Sequence, residues 1–226
     1  DDRILPPNFA TIYRIQTVDG YDPLYIRRYG ELIAASERGK PDISPPFGFN
    51  RIITPQNYDS DIIDLLGVQY ILSLTDLDSS ELSKVFQEGE TRVYENKNMF
   101  PRAFFVEHVV QANGKEDVIQ KMFTVDFSTT AIVEDLDSGD FSSGSAEISE
   151  YSGNRVIIKT ENRDIGFLVF TDSFFPTFKC STVVPAASFS FMTNELAFGG
   201  ELWENIFFNH QKSFFPIGIA ENFRIQ

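Results

Sequence analysis

Two runs of alternating apolar and polar residues constrain the fold more than any other feature of this chain. They lie in AEISEYSGNRVIIKTENRDIGFLVF, residues 146–170, which has turn signals at Ser152-Gly153-Asn154 and at Asn162-Arg163-Asp164. A period of two places the apolar side chains of a strand on one face, and clusters of Gly, Asn and Asp join such strands. The pattern predicts an antiparallel sheet, forming one half of a β-sandwich.

The earlier part of the chain is predicted to mix helices with strands. An α-helix is expected from Asp22-Pro23 through LYIRRYGELIAAS, because aspartate caps free backbone amides and proline suits a first turn. A second helix should end near Leu66, with Gly67 as its stop and VQYILSL as the next strand. Further strands are expected at TRVYEN, MFPRAFFVEHVVQA and TTAIVED, and a helix at KEDVIQKMFT.

Three other segments complete the prediction. FATIYRIQTV alternates roughly as a strand does, DSSELSKVFQEG is expected to be a short helix, and the proline-rich segment 37–57 should be a surface loop. The Ser-, Gly- and Asp-rich segment DLDSGDFSSGSAE marks a boundary. We therefore expect an α+β fold with a mixed α/β portion over residues 1–137 and an antiparallel, sandwich-like β portion over residues 138–226.

The charge of the chain limits its partners. Nineteen basic residues stand against thirty-three acidic ones, a net charge of −14. Such a surface repels the phosphate backbone of nucleic acids, so general nucleic-acid binding is not expected. No apolar stretch approaches the roughly 18 residues that a membrane-spanning helix needs. The sequence begins at Asp1 without an initiator methionine, which suggests a fragment or a processed product.

Cysteine and histidine are too scarce for most metal and nucleophile chemistry. Cys180 is the single cysteine, which excludes an internal disulfide and a cysteine zinc cluster. With His108 and His210 as the two histidines, a Ser-His-Asp arrangement would have to use one of them. We predict no catalytic residue, no metal site and no cofactor for this chain.

The segment GYDPLYIRRYGEL holds the candidate ligand-binding residues, which are Tyr21, Asp22, Tyr25, Arg27 and Arg28. Tyrosine rings offer surfaces on which sugars stack, while aspartate and arginine supply hydrogen bonds to hydroxyl or phosphate groups. The alternative is structural, with Tyr25 packed in the core and the arginines on an exposed helical face. Both interpretations are compatible, since the turn can bind a ligand while the helix packs.

Four stretches in this order carry a family resemblance: RILPPNFATIYRIQTVDGYDPLYIRRYGEL, DLLGVQYILS, TRVYENKNMFPRAFFV and SGNRVIIKTENRDIGFLVFTDSFFPTFK. Together they resemble the C-terminal soluble region of bacterial YfhO-type membrane proteins. Those proteins look like multi-spanning glycosyltransferases of the GT-C architecture that use lipid-carried sugars to decorate cell-envelope polymers. The resemblance implies an extracytoplasmic domain at the cytoplasmic membrane, without catalytic residues of its own. Its partners would be the membrane-spanning portion of the same protein and a lipid-linked sugar or envelope glycan.

The resemblance ends after Lys179. The tail lacks the Asp-Gly turn and the strand alternation that the family's ending implies, so it is either frameshifted or natively divergent. Another function remains open, that of a free carbohydrate-binding β-sandwich. It would use an aromatic platform formed by Tyr21, Tyr25, Phe174, Phe175 and Phe178.

Overall fold

The computed structural model describes residues 4–6, 8–22, 24–134, 136–152, 155–172, 180–183 and 193–199. The chain divides into two compact units, Asp1–Pro101 and Arg102–Gln226. Short helices and mostly antiparallel strands occur in both units, which confirms the predicted α+β class. The boundary predicted between residues 137 and 138 lies inside the second unit.

The first unit combines a small antiparallel sheet with two α-helices and a 3-10 helix among its described residues. Strand β5 is central in the three-stranded sheet, with β3 and β4 on either side, while β1 and β2 form a separate antiparallel pair. The elements are the 3-10 helix Phe9–Tyr13, β1 Gly20–Tyr21, α1 Arg27–Arg38, β2 Ile52–Ile53, α2 Asp61–Leu65, β3 Tyr70–Ser73, β4 Leu82–Glu88 and β5 Thr91–Asn96.

Helix α1 supplies a large part of the core of the first unit. Leu32 and Ile33 are almost completely buried, together with the two alanines that follow them. The helix ends where Gly39 takes a left-handed conformation, with φ at 60°, that favours glycine. The helix was predicted, but it begins at Arg27, because the Asp22 carboxylate caps the turn before it by accepting from the Leu24 amide at 2.7 Å.

Two of the predicted elements were wrong. Residues 9–13 form a 3-10 helix, not a strand, and left-handed residues flank it at Asn8 and Arg14. The segment predicted as a short helix contains β4 Leu82–Glu88, because its hydrogen bonds go to β5 through a hairpin whose turn begins at Gly89, φ 57°. Helix α2 was predicted correctly, and its N-cap Ser60 accepts from the Ile62 amide at 3.2 Å.

The second unit holds three sheets in its described part. Strands β10, β11, β14 and β13 form one sheet in that order, β12 pairs with β6, and β8, β7 and β9 form the third sheet. The elements are β6 Ala103–Val106, β7 His108–Gln111, α3 Lys115–Met122, β8 Thr130–Val133, β9 Gly139–Asp140, β10 Gly144–Ser152, β11 Arg155–Asn162, β12 Phe167–Phe170, β13 Cys180–Val183 and β14 Thr193–Gly199.

The antiparallel pairing predicted for residues 146–170 is confirmed in the β10–β11 hairpin, which pairs Ala146 with Thr160. Ile158 of β11 is fully buried in a cluster with Ala103 of β6 and Phe170 of β12. The hairpin therefore packs against the β6–β12 pair. The sandwich itself stays a prediction.

The segment before this hairpin and the tail after Lys179 both contribute strands to the second unit. Strand β9 and the start of β10 lie within DLDSGDFSSGSAE, so this segment contributes to two sheets. After Lys179, β14 pairs with β11 and β13 pairs with β14. The two explanations of the tail, a frameshift and a native divergence, stay predictions.

Candidate functional site

A wide groove in the first unit contains three of the predicted binding residues. Its volume is about 1130 Å³, and it is open to solvent along much of its length. Aromatic side chains and two arginines dominate the lining. The groove is lined by Tyr21, Tyr25, Arg27, Pro45, Phe47, Gly48, Phe49, Asn50, Arg51 and Ile52.

Backbone pairing between β1 and β2 brings the two sides of the groove together. Tyr21 pairs with Ile52, and the Asp22 amide donates to the Arg51 carbonyl at 3.0 Å. Residues about thirty positions apart in sequence therefore meet at one surface. This pairing explains how the segment around Tyr21 and the loop before β2 form a single groove.

The loop that carries the groove phenylalanines is held by Arg38 at the end of α1. Its guanidinium donates to the carbonyls of Asp42 at 2.7 Å, Ser44 at 2.9 Å and Pro46 at 2.6 Å. An ion pair with the Asp42 carboxylate at 3.1 Å adds to these bonds. Hydrogen bonds from Ser44 hold the pKa of Asp42 at about 2, so this carboxylate stays charged at neutral pH.

Tyr25 lies in the groove because Gly30 leaves space for its ring. A Cβ atom at Gly30 would lie 2.5 Å from Cε2 of Tyr25, which is closer than real Cβ contacts. The Tyr25 ring also meets Phe49 edge to face at a centroid distance of 5.8 Å, and Phe49 lies 6.0 Å from Phe47. These rings form an aromatic lining whose faces can stack against apolar faces of a ligand.

The groove presents two guanidinium groups. The Arg27 side chain is 73% exposed, and its Nε donates to the Glu31 carboxylate at 3.0 Å. That carboxylate belongs to a side chain that is only 1% exposed, so Arg27 also compensates a buried negative charge. Arg51 is exposed and has no ion pair or side-chain hydrogen bond with any residue that the structure describes. It can bind an anion without losing an internal partner.

The other two predicted residues lie outside the groove lining. Asp22 uses its carboxylate to cap the Leu24 amide, and Arg28 is half-buried on α1 with contacts of its own. The sequence prediction missed the opposite side, which consists of Phe47, Phe49 and Arg51. The signal was present in PPFGFNR, where aromatic residues and an arginine interrupt a loop rich in proline and glycine.

Neither a Ser-His-Asp triad nor a metal-ligand cluster is found among the residues that the structure describes. His108 contacts Asp140 through Nδ1 at 2.8 Å, and both side chains are exposed, but no described serine completes a triad with them. Within the same residues, no group of three His, Cys, Asp or Glu side chains could hold a metal ion. His210 lies outside the described residues, as do Phe174, Phe175 and Phe178 of the alternative aromatic platform.

A second cluster of polar and aromatic groups lies in the second unit, and its members contact one another. The Tyr151 hydroxyl donates to Asp172 at 2.6 Å, and Arg102 reaches the same carboxylate at 3.2 Å while stacking over the Tyr151 ring at 5.3 Å. Burial, reinforced by Asp172, raises the pKa of Tyr151. This arrangement joins β6, β10 and the end of β12, and we interpret it as structural.

Comparison with known proteins adds no relative. No family model matches the chain, and neither the curated proteins nor the solved structures include a significant match. Among the described residues, no helix is both long enough and apolar enough to span a bilayer.

Proposed function

We propose that this chain is a non-catalytic extracytoplasmic domain of a multi-spanning membrane glycosyltransferase that acts in cell-envelope polymer glycosylation. In this role it holds a lipid-linked sugar or an envelope glycan for the membrane-spanning portion of the same protein. The location that follows is the outer face of the bacterial cytoplasmic membrane. The resemblance to YfhO-type proteins supplies the context, and the groove supplies the physical argument.

The observation that carries the proposal is the combination of aromatic rings with two arginines in one open groove. Tyr21, Tyr25 and Phe49 offer ring faces to the apolar face of a sugar, and Arg27 and Arg51 offer donors to phosphate oxygens. A phosphate-bearing sugar needs both kinds of contact at once. In a chain with a net charge of −14, such a local pair of guanidinium groups favours an anion at this place.

Arg51 allows a clean test, because its side chain makes no hydrogen bond or ion pair with any residue that the structure describes. We expect sugar 1-phosphates, titrated calorimetrically into the protein, to bind, and Arg51→Ala to lower their affinity by about tenfold. Arg163→Ala is the matched control, since it removes the same charge from an exposed position in the second unit. The idea fails if none of a panel of hexose and N-acetylhexosamine 1-phosphates binds, or if both variants lose affinity equally.

Replacing Arg27 and Arg28 together tests the residues that the sequence singled out. Within the full-length protein, Arg27→Ala with Arg28→Ala should weaken binding of a phosphate-bearing lipid-linked sugar. The double variant also leaves Glu31 buried without its Arg27 partner, so its melting temperature has to be measured in parallel. A large loss of melting temperature would show that the two arginines are structural.

A free carbohydrate-binding module is the second candidate, and the aromatic share of the groove lining favours it. Such a module would bind neutral envelope saccharides as tightly as their phosphates, and Arg51→Ala would leave that binding unchanged. Turnover of any glycan by the isolated chain would contradict both functions, because neither assigns it a catalytic residue.

A further inference from the structure

The structure assigns a second surface to the first unit, and we propose that it docks on an anionic lipid bilayer. This surface is an apolar tip formed by Phe9, Ile12, Tyr13 and Ile15, next to the groove. The inference concerns a lipid surface, and it holds whether or not the groove binds a sugar.

The apolar tip exposes more apolar surface than a short soluble segment normally does. Ile12 is 70% exposed, Tyr13 60% and Ile15 56%, within a stretch of four residues. Large apolar side chains that lie together in water mark an interaction surface, whereas single ones are ordinary. Phe9 and Tyr13 contact each other edge to face at a centroid distance of 5.4 Å, so these two rings form one apolar surface.

The fold holds the apolar tip in a fixed position. Asn8 exchanges two hydrogen bonds with the Tyr21 backbone, at 2.7 Å and 3.0 Å, and Tyr29 donates from its hydroxyl to the Val18 carbonyl. Within the tip the buried Ala10 accepts from the Ile15 amide at 3.0 Å. The exposed side chains are thus presented by an anchored loop, which lowers the entropic cost of binding.

The arginines near the apolar tip favour an anionic bilayer as its partner. Arg14 lies inside the apolar tip, and the groove joined to it by Asn8 and Tyr21 carries Arg27 and Arg51. Residues 4–57 carry six basic side chains against five acidic ones, so this part of the chain is close to neutral and slightly basic, although the whole chain has a net charge of −14. Apolar and aromatic side chains beside arginines match the headgroup region of an anionic bilayer, where rings sit at the interface and guanidinium groups meet phosphates.

A second copy of this chain fits the apolar tip less well. A stable protein–protein interface takes about 20–30 residues on each side, and the tip offers four large side chains with a positive charge among them. Two identical tips would also bring Arg14 close to its own copy. A bilayer needs no such area, because individual side chains insert between lipids.

The test is co-flotation with phosphatidylcholine vesicles that contain or lack phosphatidylglycerol. We expect the protein to float with the anionic vesicles, less with the neutral ones, and less as salt is added. Replacing Ile12 and Ile15 with serine should lower the partition coefficient by more than about tenfold while the urea unfolding midpoint stays unchanged. Arg14→Gln should cause a smaller loss, confined to anionic vesicles.

Val85→Ser with Ile165→Ser is the matched control, because these side chains are 50% and 49% exposed and lie away from the tip in sequence. The proposal is overturned if the protein does not float, or if the control pair loses as much binding as the Ile12 and Ile15 pair. If the parent protein does not bind vesicles but dimerises as its concentration rises, and the Ile12 and Ile15 variant does not dimerise, the tip contacts a second copy of the chain instead. Ile12 and Ile15 are not among the residues that line the groove, so the loss of vesicle binding in their variant is distinguishable from a failure of the sugar-phosphate titration.

Discussion

Gly30→Ala gives the sharpest test of how the groove is built. Gly30 lies in α1, where alanine favours the helix over glycine by about 1 kcal/mol. In this structure the added methyl would lie 2.5 Å from Cε2 and 3.2 Å from Cδ2 of Tyr25. The ring can avoid the methyl group only by moving, and such a movement disturbs its edge-to-face contact with Phe49 at a centroid distance of 5.8 Å.

The magnitude follows from these two opposing effects. Forcing an extra carbon into a filled space costs about 1–3 kcal/mol. Gly30→Ala should therefore leave the free energy of unfolding between unchanged and about 2 kcal/mol lower, since the helix gain offsets part of the overlap. In a Tyr25→Ala background the overlap disappears, and the same Gly30→Ala change should stabilise the protein by about 1 kcal/mol.

Urea denaturation of the four proteins in this double-mutant cycle, followed by circular dichroism at constant m-value, measures the coupling between Gly30 and Tyr25. We expect a coupling energy of about 1–3 kcal/mol. A coupling below about 0.5 kcal/mol would refute the reasoning, because the ring would then move without cost. In the single variant the displaced ring should also weaken sugar-phosphate binding.

Two other predictions concern charged groups of the first unit. Burial raises the pKa of Asp64, whose carboxylate accepts a hydrogen bond from the Asn96 amide at 2.7 Å. The native state therefore loses stability as pH rises through that pKa, because the buried carboxyl group has to ionise. Asp64→Asn keeps the acceptor but cannot ionise, so urea titrations should show that it gains stability relative to the parent between pH 3 and pH 7. A difference in unfolding free energy between Asp64→Asn and the parent that does not change with pH would contradict this prediction. Arg38→Ala should lower the free energy of unfolding by about 1–2 kcal/mol and speed amide hydrogen exchange in loop 42–51, because it removes three hydrogen bonds to the backbone. Unchanged amide exchange in this loop would show that its conformation does not depend on Arg38.

The location of the candidate site could be predicted only in part. Tyr21, Tyr25 and Arg27 were predicted because aromatic and basic residues cluster within a few positions. Arg51 and the phenylalanines were missed, because nothing local links them to Tyr21. Their proximity depends on the β1–β2 pairing, which joins segments about thirty residues apart.

Local patterns alone determined the elements whose stabilising contacts are also local. Helices α1 and α3 and the β10–β11 hairpin follow from helical spacing, alternation and turn residues. Tertiary structure decided the elements whose partners are distant. Strand β12 pairs with β6 in place of the neighbouring β11, and residues 82–88 are a strand because β5 takes their hydrogen bonds. The period of a strand does not reveal which distant strand it pairs with, and the groove is a product of such pairing.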